Sequence, residues 1–460
     1  MIPDDFIKRV STQKYIDAGA LLKSLEEPSP VSIRINTSKW NKTPRDPNPV
    51  PWCRNGHYLE KRPSFTLDPL FHSGCYYPQE ASGMFLEQVF RQITPYLPRN
   101  LRVLDLCAAP GGKSTHISEI IGSNGLLVAN DAIRSRAAIL AETLTKWGSG
   151  NCIVTQNDPA AFGRLSGYFD IIMIDAPCSG EGMFRSEIAL NEWSLNNTTH
   201  CAERQKRILT DVWPALKENG ILIYSTCTFN PGENEENLKW FLGKKEADCI
   251  RIDVSEFKGI VKIEFKGIFG YGFYQDKIRG EGFFISALRK TGKPETNPIR
   301  RQKNSDLRPS GKNLDVVVNW TQFSKDRIIK WSDGLLAVPC GMDEYLHLYS
   351  KLKILKAGIK VSTVRDNKYL PSHELALSTG ILKHAFPENE INLAEALSFM
   401  RRDNFLLKNT LKGWNILTYN GINLGFVNNI GTRLNNYFPV QWRIRMRLPL
   451  PGTETRIEWD

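Results

Sequence analysis

The chain has 460 residues, 41% of them hydrophobic, which is long enough for two or three domains that each bury a core. Its 60 Lys and Arg against 49 Asp and Glu leave a formal charge of +11, an excess suited to a polyanion such as RNA or DNA. No stretch approaches the ~18 apolar residues of a membrane span, and the start carries Asp4 and Asp5 with no apolar signal region, so a cytoplasmic protein without membrane contact is expected.

Up to about Phe71 the sequence is broken by Pro28, Pro30, Pro44, Pro47, Pro49 and Pro51 into short elements, and a small lead-in domain over 1–72 is expected. From 73 to 290 the pattern becomes short apolar runs ending in Asp, Gly or Pro and separated by helical stretches. That is the mark of a mainly parallel sheet in an α/β domain, with strands expected at 102–106, 126–130, 151–156, 169–174, 221–225 and 282–288. Residues 291–314 hold Lys293, Arg300, Arg301, Lys303, Arg308 and Lys312 with few apolar side chains, and read as a basic linker or a loop ordered by RNA. An intermediate domain over 315–390 and a strand-rich module over 391–460 follow, the latter with a hairpin turn at Asn420-Gly421. Near the end Arg443, Arg445 and Arg447 alternate with Ile444, Met446 and Leu448, which in a strand puts three guanidinium groups on one face. Tyr437 and Phe438 are candidates to stack unpaired bases and Arg433 adds charge; Arg34 and the basic linker are the other places to look for an RNA grip.

The chemistry is concentrated in the middle domain. Cys107-Ala108-Ala109-Pro110-Gly111-Gly112-Lys113 joins an apolar strand to a helix, a glycine turn at a helix N-terminus where a nucleotide-like ligand can approach the backbone. It is not the GxGxxG fingerprint of a dinucleotide site. Asp131 ends the next strand, at the spacing of an acid that holds ribose hydroxyls, and Asp158 ends the one after, placed to accept from an adenine amino group. Asp175-Ala176-Pro177-Cys178 follows the run Ile171 to Ile174, and Ser225-Thr226-Cys227-Thr228 follows another apolar strand, so two thiols are expected at one edge of one sheet. Nine scattered cysteines with no CxxC pair and no His/Cys cluster argue for free thiols and against a metal site.

These segments carry a family resemblance. The run 107–113, Asp175 to Gly180 and Ser225 to Thr228 resemble the signature motifs of the Fmu/Sun and Nop-type RNA cytosine-5 methyltransferases. The likeness extends to Ser32 to Thr37, Tyr76 to Ser82, Gly280 to Phe284 and, in the tail, to Gly413 to Tyr419, Leu424 to Phe426 and Asn435 to Pro439, which resemble the RsmF-type branch acting on small-subunit ribosomal RNA. One departure is Gln275-Asp276, where the family often has Pro-His.

The resemblance implies a Rossmann-like methyltransferase core with a small N-terminal domain and a PUA-like RNA-binding module, and S-adenosylmethionine held by 107–113, Asp131, Asp158 and Asp175. It also implies a monomer acting on ribosomal RNA or a small-subunit particle. Carbon 5 of cytosine is too weak a nucleophile to take a sulfonium methyl unaided, so a thiolate first adds at carbon 6. The residues alone do not say which cysteine attacks; the resemblance assigns attack to Cys227, release to Cys178, and hydrogen bonding at ring nitrogen 3 to Asp175. Other readings are a transfer RNA methyltransferase, or a non-catalytic RNA-binding protein retaining the fold. A DNA cytosine methyltransferase is disfavoured by the lack of a Glu-Asn-Val motif, and a dehydrogenase by the lack of GxGxxG.

Overall fold

The structure, a computed structural model, describes residues 2–293, 307, 309, 312–366, 368–403, 407, 410–446 and 456–460. Two short helices, Asp4–Val10 (α1) and Ala18–Ser24 (α2), precede an antiparallel sheet of Val31–Ile35 (β1), Asn48–Pro49 (β2), Gly56–Leu59 (β3) and Tyr76–Pro78 (β4), in the order β2-β3-β1-β4. Arg34, in the middle of β1, is fully buried. Its guanidinium donates to Gln79 Oε1 at 3.0 Å, Glu119 Oε2 at 2.6 Å and Thr115 Oγ1 at 2.6 Å, and lies 4.5 Å from the Trp147 ring centroid. A cation with no exposed surface cannot meet a phosphate, so the suggestion that Arg34 grips RNA is corrected: it is a strut between the lead-in sheet and the core.

Helices Pro69–His72 (α3) and Leu86–Ile93 (α4) lead to the central sheet. Its strands are Arg102–Asp105 (β5), Leu126–Asn130 (β6), Cys152–Thr155 (β7), Phe169–Asp175 (β8), Leu216–Thr226 (β9), Ala247–Ile250 (β10), Val261–Phe265 (β11), Ile268–Phe273 (β12) and Phe283–Lys290 (β13). Helices Gly112–Ile121 (α5), Arg134–Trp147 (α6), Glu187–Glu192 (α7), Leu195–Val212 (α8) and Glu235–Leu242 (α9) connect them. From β9 through β8, β5 and β6 to β7 the pairing is parallel, and beyond β9 the strands β13, β12 and β11 run antiparallel. The strands β6 and β7 are buried along their whole length, as continuous apolar runs in a doubly covered parallel sheet should be. Because β5 pairs with both β6 and β8, the strand order reverses beside it, and ligands of open α/β sheets bind at the carboxyl ends of strands flanking such a point.

The C-terminal half starts with Lys312–Val318 (α10), Ile328–Trp331 (β14), Gly334–Ala337 (β15), Met342–Tyr349 (α11) and Ile354–Ala357 (β16), then Ile359–Arg365 (β17), Lys368–Pro371 (β18) and His373–Leu377 (α12). Here β14, β15, β17 and β18 form a small sheet of their own, whereas β16 pairs antiparallel with β7 and becomes an outer strand of the central sheet. The segment read as a separate intermediate domain therefore also extends the central sheet. Glu388–Glu390 (β19), Leu393–Arg401 (α13), Gly413–Tyr419 (β20), Ile422–Asn429 (β21) and Leu434–Asn436 (β22) build the last sheet, and Asn420 and Gly421 both take positive φ in the expected hairpin turn.

Two expectations at the C-terminus are corrected. No strand runs through 443–446: a 3-10 turn at Val440–Trp442 is followed by irregular backbone, in which Ile444 is buried against the α13 core while Arg443, Arg445 and Met446 all face solvent. Arg447, and most of the basic linker, including Arg300, Arg301, Lys303 and Arg308, lie outside the described residues. Phe438 is 2% exposed, packed against Phe399 and His373, and cannot stack a base; Tyr437 is exposed.

Candidate functional site

The site forms at the carboxyl ends of β5, β8 and β9. After β5 the chain turns through Cys107 to Lys113 into α5, and the turn depends on glycine: Gly111 has φ of 115°, and a Cβ there would lie 2.8 Å from Thr143 Cγ2. Asp105, at the end of β5, is fully buried; its Oδ2 accepts from Ser114 Oγ at 2.6 Å, while Oδ1 has no hydrogen-bond partner. Burial, reinforced by the nearby Asp175 and opposed by the Ser114 hydrogen bond, pushes this carboxyl up to about 7.

Strand β8 delivers Asp175, whose Oδ2 accepts from Lys113 Nζ at 2.9 Å and whose Oδ1 accepts from Ser225 Oγ at 2.6 Å. The ends of two adjacent strands and the first turn of α5 thus fix one carboxylate. Burial works against the Lys113 charge, but Asp175 outweighs it and the ammonium is held above its ordinary value. Just beyond, Cys178 follows β8 and Cys227 follows β9, and their Sγ atoms approach to 3.1 Å, with the Cys227 backbone N–H donating to Cys178 Sγ at 3.3 Å. The Cys178 thiol is held well above its ordinary value, first by its contact with Cys227 and then by burial. Cys107, Ala108, Ala109, Pro110, Gly112, Lys113, Asp175 and Cys227 line one cleft, closed on the far side by Glu80 and Phe283.

Asp131 is buried beside this cleft, its Oδ1 accepting from the Ile133 N–H and its Oδ2 3.2 Å from Arg136 Nε. Arg136 also donates to Ala109 O at 2.9 Å, which couples Asp131 to the glycine loop. Asp158 stands apart from the cleft lining: it caps the turn Pro159–Leu165, pairs with Arg207 at 3.2 Å and is half exposed.

Several functional side chains escaped the sequence reading. Glu80 accepts from the N–H groups of Ser82, Gly83 and Glu281 and so clamps the lead-in chain to the cleft's far wall. Glu233, just past Cys227, accepts from Ser179 N at 3.0 Å, Ser179 Oγ at 2.5 Å and Gln205 Nε2 at 3.0 Å. Thr228 Oγ1 lies 3.4 Å from the same carboxylate, so one acid holds the residue after each cysteine. Gln275, in the segment that departs from the family pattern, donates to Gly182 O at 2.7 Å and supports the point where Gly182 and Gly282 pass so closely that a Cβ on Gly282 would lie 2.4 Å from Gly182 Cα. Only position relative to the cysteine motifs marked these residues; an acid in a Pro-Gly-Glu-Asn turn otherwise looks like a solvated loop.

Two thiols in contact, a half-buried ammonium–carboxylate pair and a glycine loop at the cleft make a site for nucleophilic addition and group transfer. The family model for 16S rRNA methyltransferase RsmB/F matches residues 96–289, that for the N-terminal domain of 16S rRNA methyltransferase RsmF matches 2–81, and that for the methyltransferase RsmF PUA domain matches 386–444. Ribosomal RNA small subunit methyltransferase F of Shewanella sp. (strain W3-18-1) is 30% identical over 454 residues, covering 92% of this chain and 93% of its own. The protein of the same name from Enterobacter sp. (strain 638) is 28% identical, with 95% of each chain covered. Among solved structures, a methyltransferase homolog protein from Pyrococcus horikoshii is 27% identical with a TM-score of 0.53, covering 63% of this chain and 95% of its own. NSun6 from Pyrococcus horikoshii with SFG, at 21% identity and a TM-score of 0.52, covers 63% of this chain and 98% of its own and shares the fold.

Proposed function

The chain belongs to the RsmF family of 16S ribosomal RNA methyltransferases, and from that premise we propose that it methylates carbon 5 of a cytosine in small-subunit ribosomal RNA through a covalent adduct with Cys227. The observation that carries the chemistry is the 3.1 Å contact between Cys178 and Cys227 at the mouth of the glycine-loop cleft.

The cleft suits S-adenosylmethionine. A Cβ at Gly112 would lie 3.0 Å from Tyr77 Cε1, so glycine there lets Tyr77 close over the loop, and Asp105, whose Oδ1 is unpartnered, lines the same cleft. Residues 107–113 and Asp131 would hold the cofactor, whose sulfonium supplies an electrophilic methyl group; Asp158 has a lesser claim, since it is half exposed, whereas Arg136 ties the buried Asp131 to Ala109 of the loop. Cys227 Sγ adds to carbon 6 of the base and makes carbon 5 nucleophilic. Asp175 sits just before the Ala-Pro-Cys turn, oriented by Lys113 and Ser225, and its carboxylate accepts from ring nitrogen 3 in its protonated form, which favours that addition. Once carbon 5 carries the methyl group, its proton passes to a solvent base, that electron pair restores the 5,6 double bond, and the carbon–sulfur bond breaks to return the Cys227 thiolate. Cys178 stays protonated beside Cys227 and assists this release.

Small-subunit RNA incubated with methyl-labelled S-adenosylmethionine tests the assignment by nucleoside analysis and denaturing gels. Cys227→Ala is expected to abolish 5-methylcytosine formation, and Cys178→Ala to accumulate a protein–RNA adduct that survives denaturation. An adduct trapped by Cys227→Ala and not by Cys178→Ala exchanges the two roles. Label appearing on any atom but carbon 5 of cytosine refutes the proposed reaction.

A further inference from the structure

Away from the cleft, on the face of α5 turned towards the lead-in module, three side chains with metal-ligating atoms meet. Cys53 Sγ lies 4.0 Å from His116 Nε2, and His116 Nε2 lies 3.1 Å from Glu87 Oε2, with the three ligand atoms all within 4.8 Å of one another. They come from three elements: Cys53 from the turn before β3, Glu87 from α4 and His116 from α5. Cys53 is 63 positions from His116, which is why a search for closely spaced ligands in the sequence does not reveal the group.

We propose that Cys53, Glu87 and His116 bind a single zinc ion that ties the lead-in module to α4 and to the helix that begins at the glycine loop. Thiolate, imidazole and carboxylate together form a zinc donor set. Tetrahedral zinc at ~2.3 Å from sulfur and ~2.1 Å from nitrogen and oxygen sets its ligands roughly 3.4 to 3.6 Å apart, so the separations of 3.1 Å and 4.0 Å need adjustments of about 0.4 Å and the third, at most 4.8 Å, up to about 1.2 Å. Charge also favours a dication. Glu87 and Glu119 face the single buried cation Arg34, and Arg34 and Glu87 are the charged groups that act on His116. A Cys53 thiolate brings the local charge to −2, which one zinc ion neutralises. The Glu87 side chain is 24% exposed, leaving a path to solvent for a water as fourth ligand.

Cobalt(II) serves as the probe for the full-length protein, because cobalt bound to a thiolate gives a strong charge-transfer absorption. One equivalent is expected to produce that band in the parent protein and none in Cys53→Ser. Zinc is expected to raise the melting temperature of the parent but not that of Cys53→Ser or His116→Gln. His116→Gln keeps an N–H for Glu87 and so preserves the hydrogen bond while removing the imidazole. The proposal is overturned if the parent shows neither the band nor the zinc-dependent rise, since the group is then a hydrogen-bonded core cluster only. It is equally overturned if Cys53→Ser keeps the full band, which places the metal elsewhere.

Discussion

Glu233 touches no reacting atom in the proposed chemistry, yet the distance between the two thiols depends on it. Its carboxylate accepts from Ser179, next to Cys178, and meets Thr228, next to Cys227, while burial pushes it up to about 7 against the opposing Ser179 hydrogen bonds. Glu233→Gln presents an amide N–H where an acceptor is needed and leaves a buried donor unmatched, a loss of ~1 to 3 kcal/mol. We expect a fall in kcat of tenfold or more with an unchanged dissociation constant for S-adenosylmethionine; calorimetry together with single-turnover methylation separates the two. Equal losses in both would make Glu233 a general stability element. Asp105 is a second buried acid with a measurable signature. Its folded-state value of about 7 stands above the unfolded value of 3.8, so the native state keeps a proton that the unfolded chain has released. Its contribution to stability is complete below pH 3.8 and is lost as pH rises to about 7. Asp105→Asn removes that loss: relative to the parent, the variant should gain stability between pH 4 and pH 8, by on the order of 4 kcal/mol at most, in urea unfolding series. A constant difference across the range would show Asp105 ionised throughout.

Strands of the central sheet were legible because a doubly covered parallel strand must be apolar along its length, and runs such as Ile171 to Ile174 have no alternative reading between Gly, Asp and Pro boundaries. The convergence of Cys178, Cys227 and Asp175 followed from that, since all three stand at carboxyl ends of neighbouring strands. The same alternation rule failed at Arg443 to Met446 because periodicity makes a strand only where another strand pairs with it; here the backbone N–H of Ile444 bonds to the carbonyl of Met400 at the end of α13. Nor could the sequence show β16 on the edge of β7, a pairing across some 200 residues whose register, Ile354 with Thr155 and Ala357 with Ile153, is set by tertiary packing. That pairing has a consequence for any attempt to isolate the core. Removing residues 312–460 uncovers the edge of β7, a fully buried strand of Cys152, Ile153, Val154 and Thr155, and open apolar edges recruit other chains. The truncated protein is expected to elute as soluble aggregates in size-exclusion chromatography where the full chain does not. A well-behaved truncated monomer would show that β16 merely decorates the sheet.

At the scale of the whole molecule, a charge of +11 is less free than the sequence suggests. Arg34 is consumed by Gln79, Thr115 and Glu119, Lys39 donates to the carbonyls of Ser73 and Lys146, Arg185 to those of Ser24 and Gly280, and Lys113 to Asp175. The first three hold the lead-in module and the core together, Lys113 fixes Asp175 within the core, and such engaged cations contribute little to neutralising phosphate. Affinity for RNA must come from exposed cations, and among the described residues the C-terminal module offers Arg433, Arg443 and Arg445 on its surface with the exposed ring of Tyr437 nearby. Although no strand aligns them, phosphate contacts require exposure and reach rather than a regular stripe. Each contact with single-stranded RNA adds ~0.7 to the slope of log affinity against log salt, so replacing all three arginines by Gln should weaken binding of a small-subunit RNA fragment and lower that slope by about 2. The affinity for S-adenosylmethionine should stay at the parent's value, because none of the three lines the glycine-loop cleft. If both the salt slope and the RNA affinity of the triple variant match the parent, the grip lies elsewhere, and the arginines serve only to keep an exposed edge soluble.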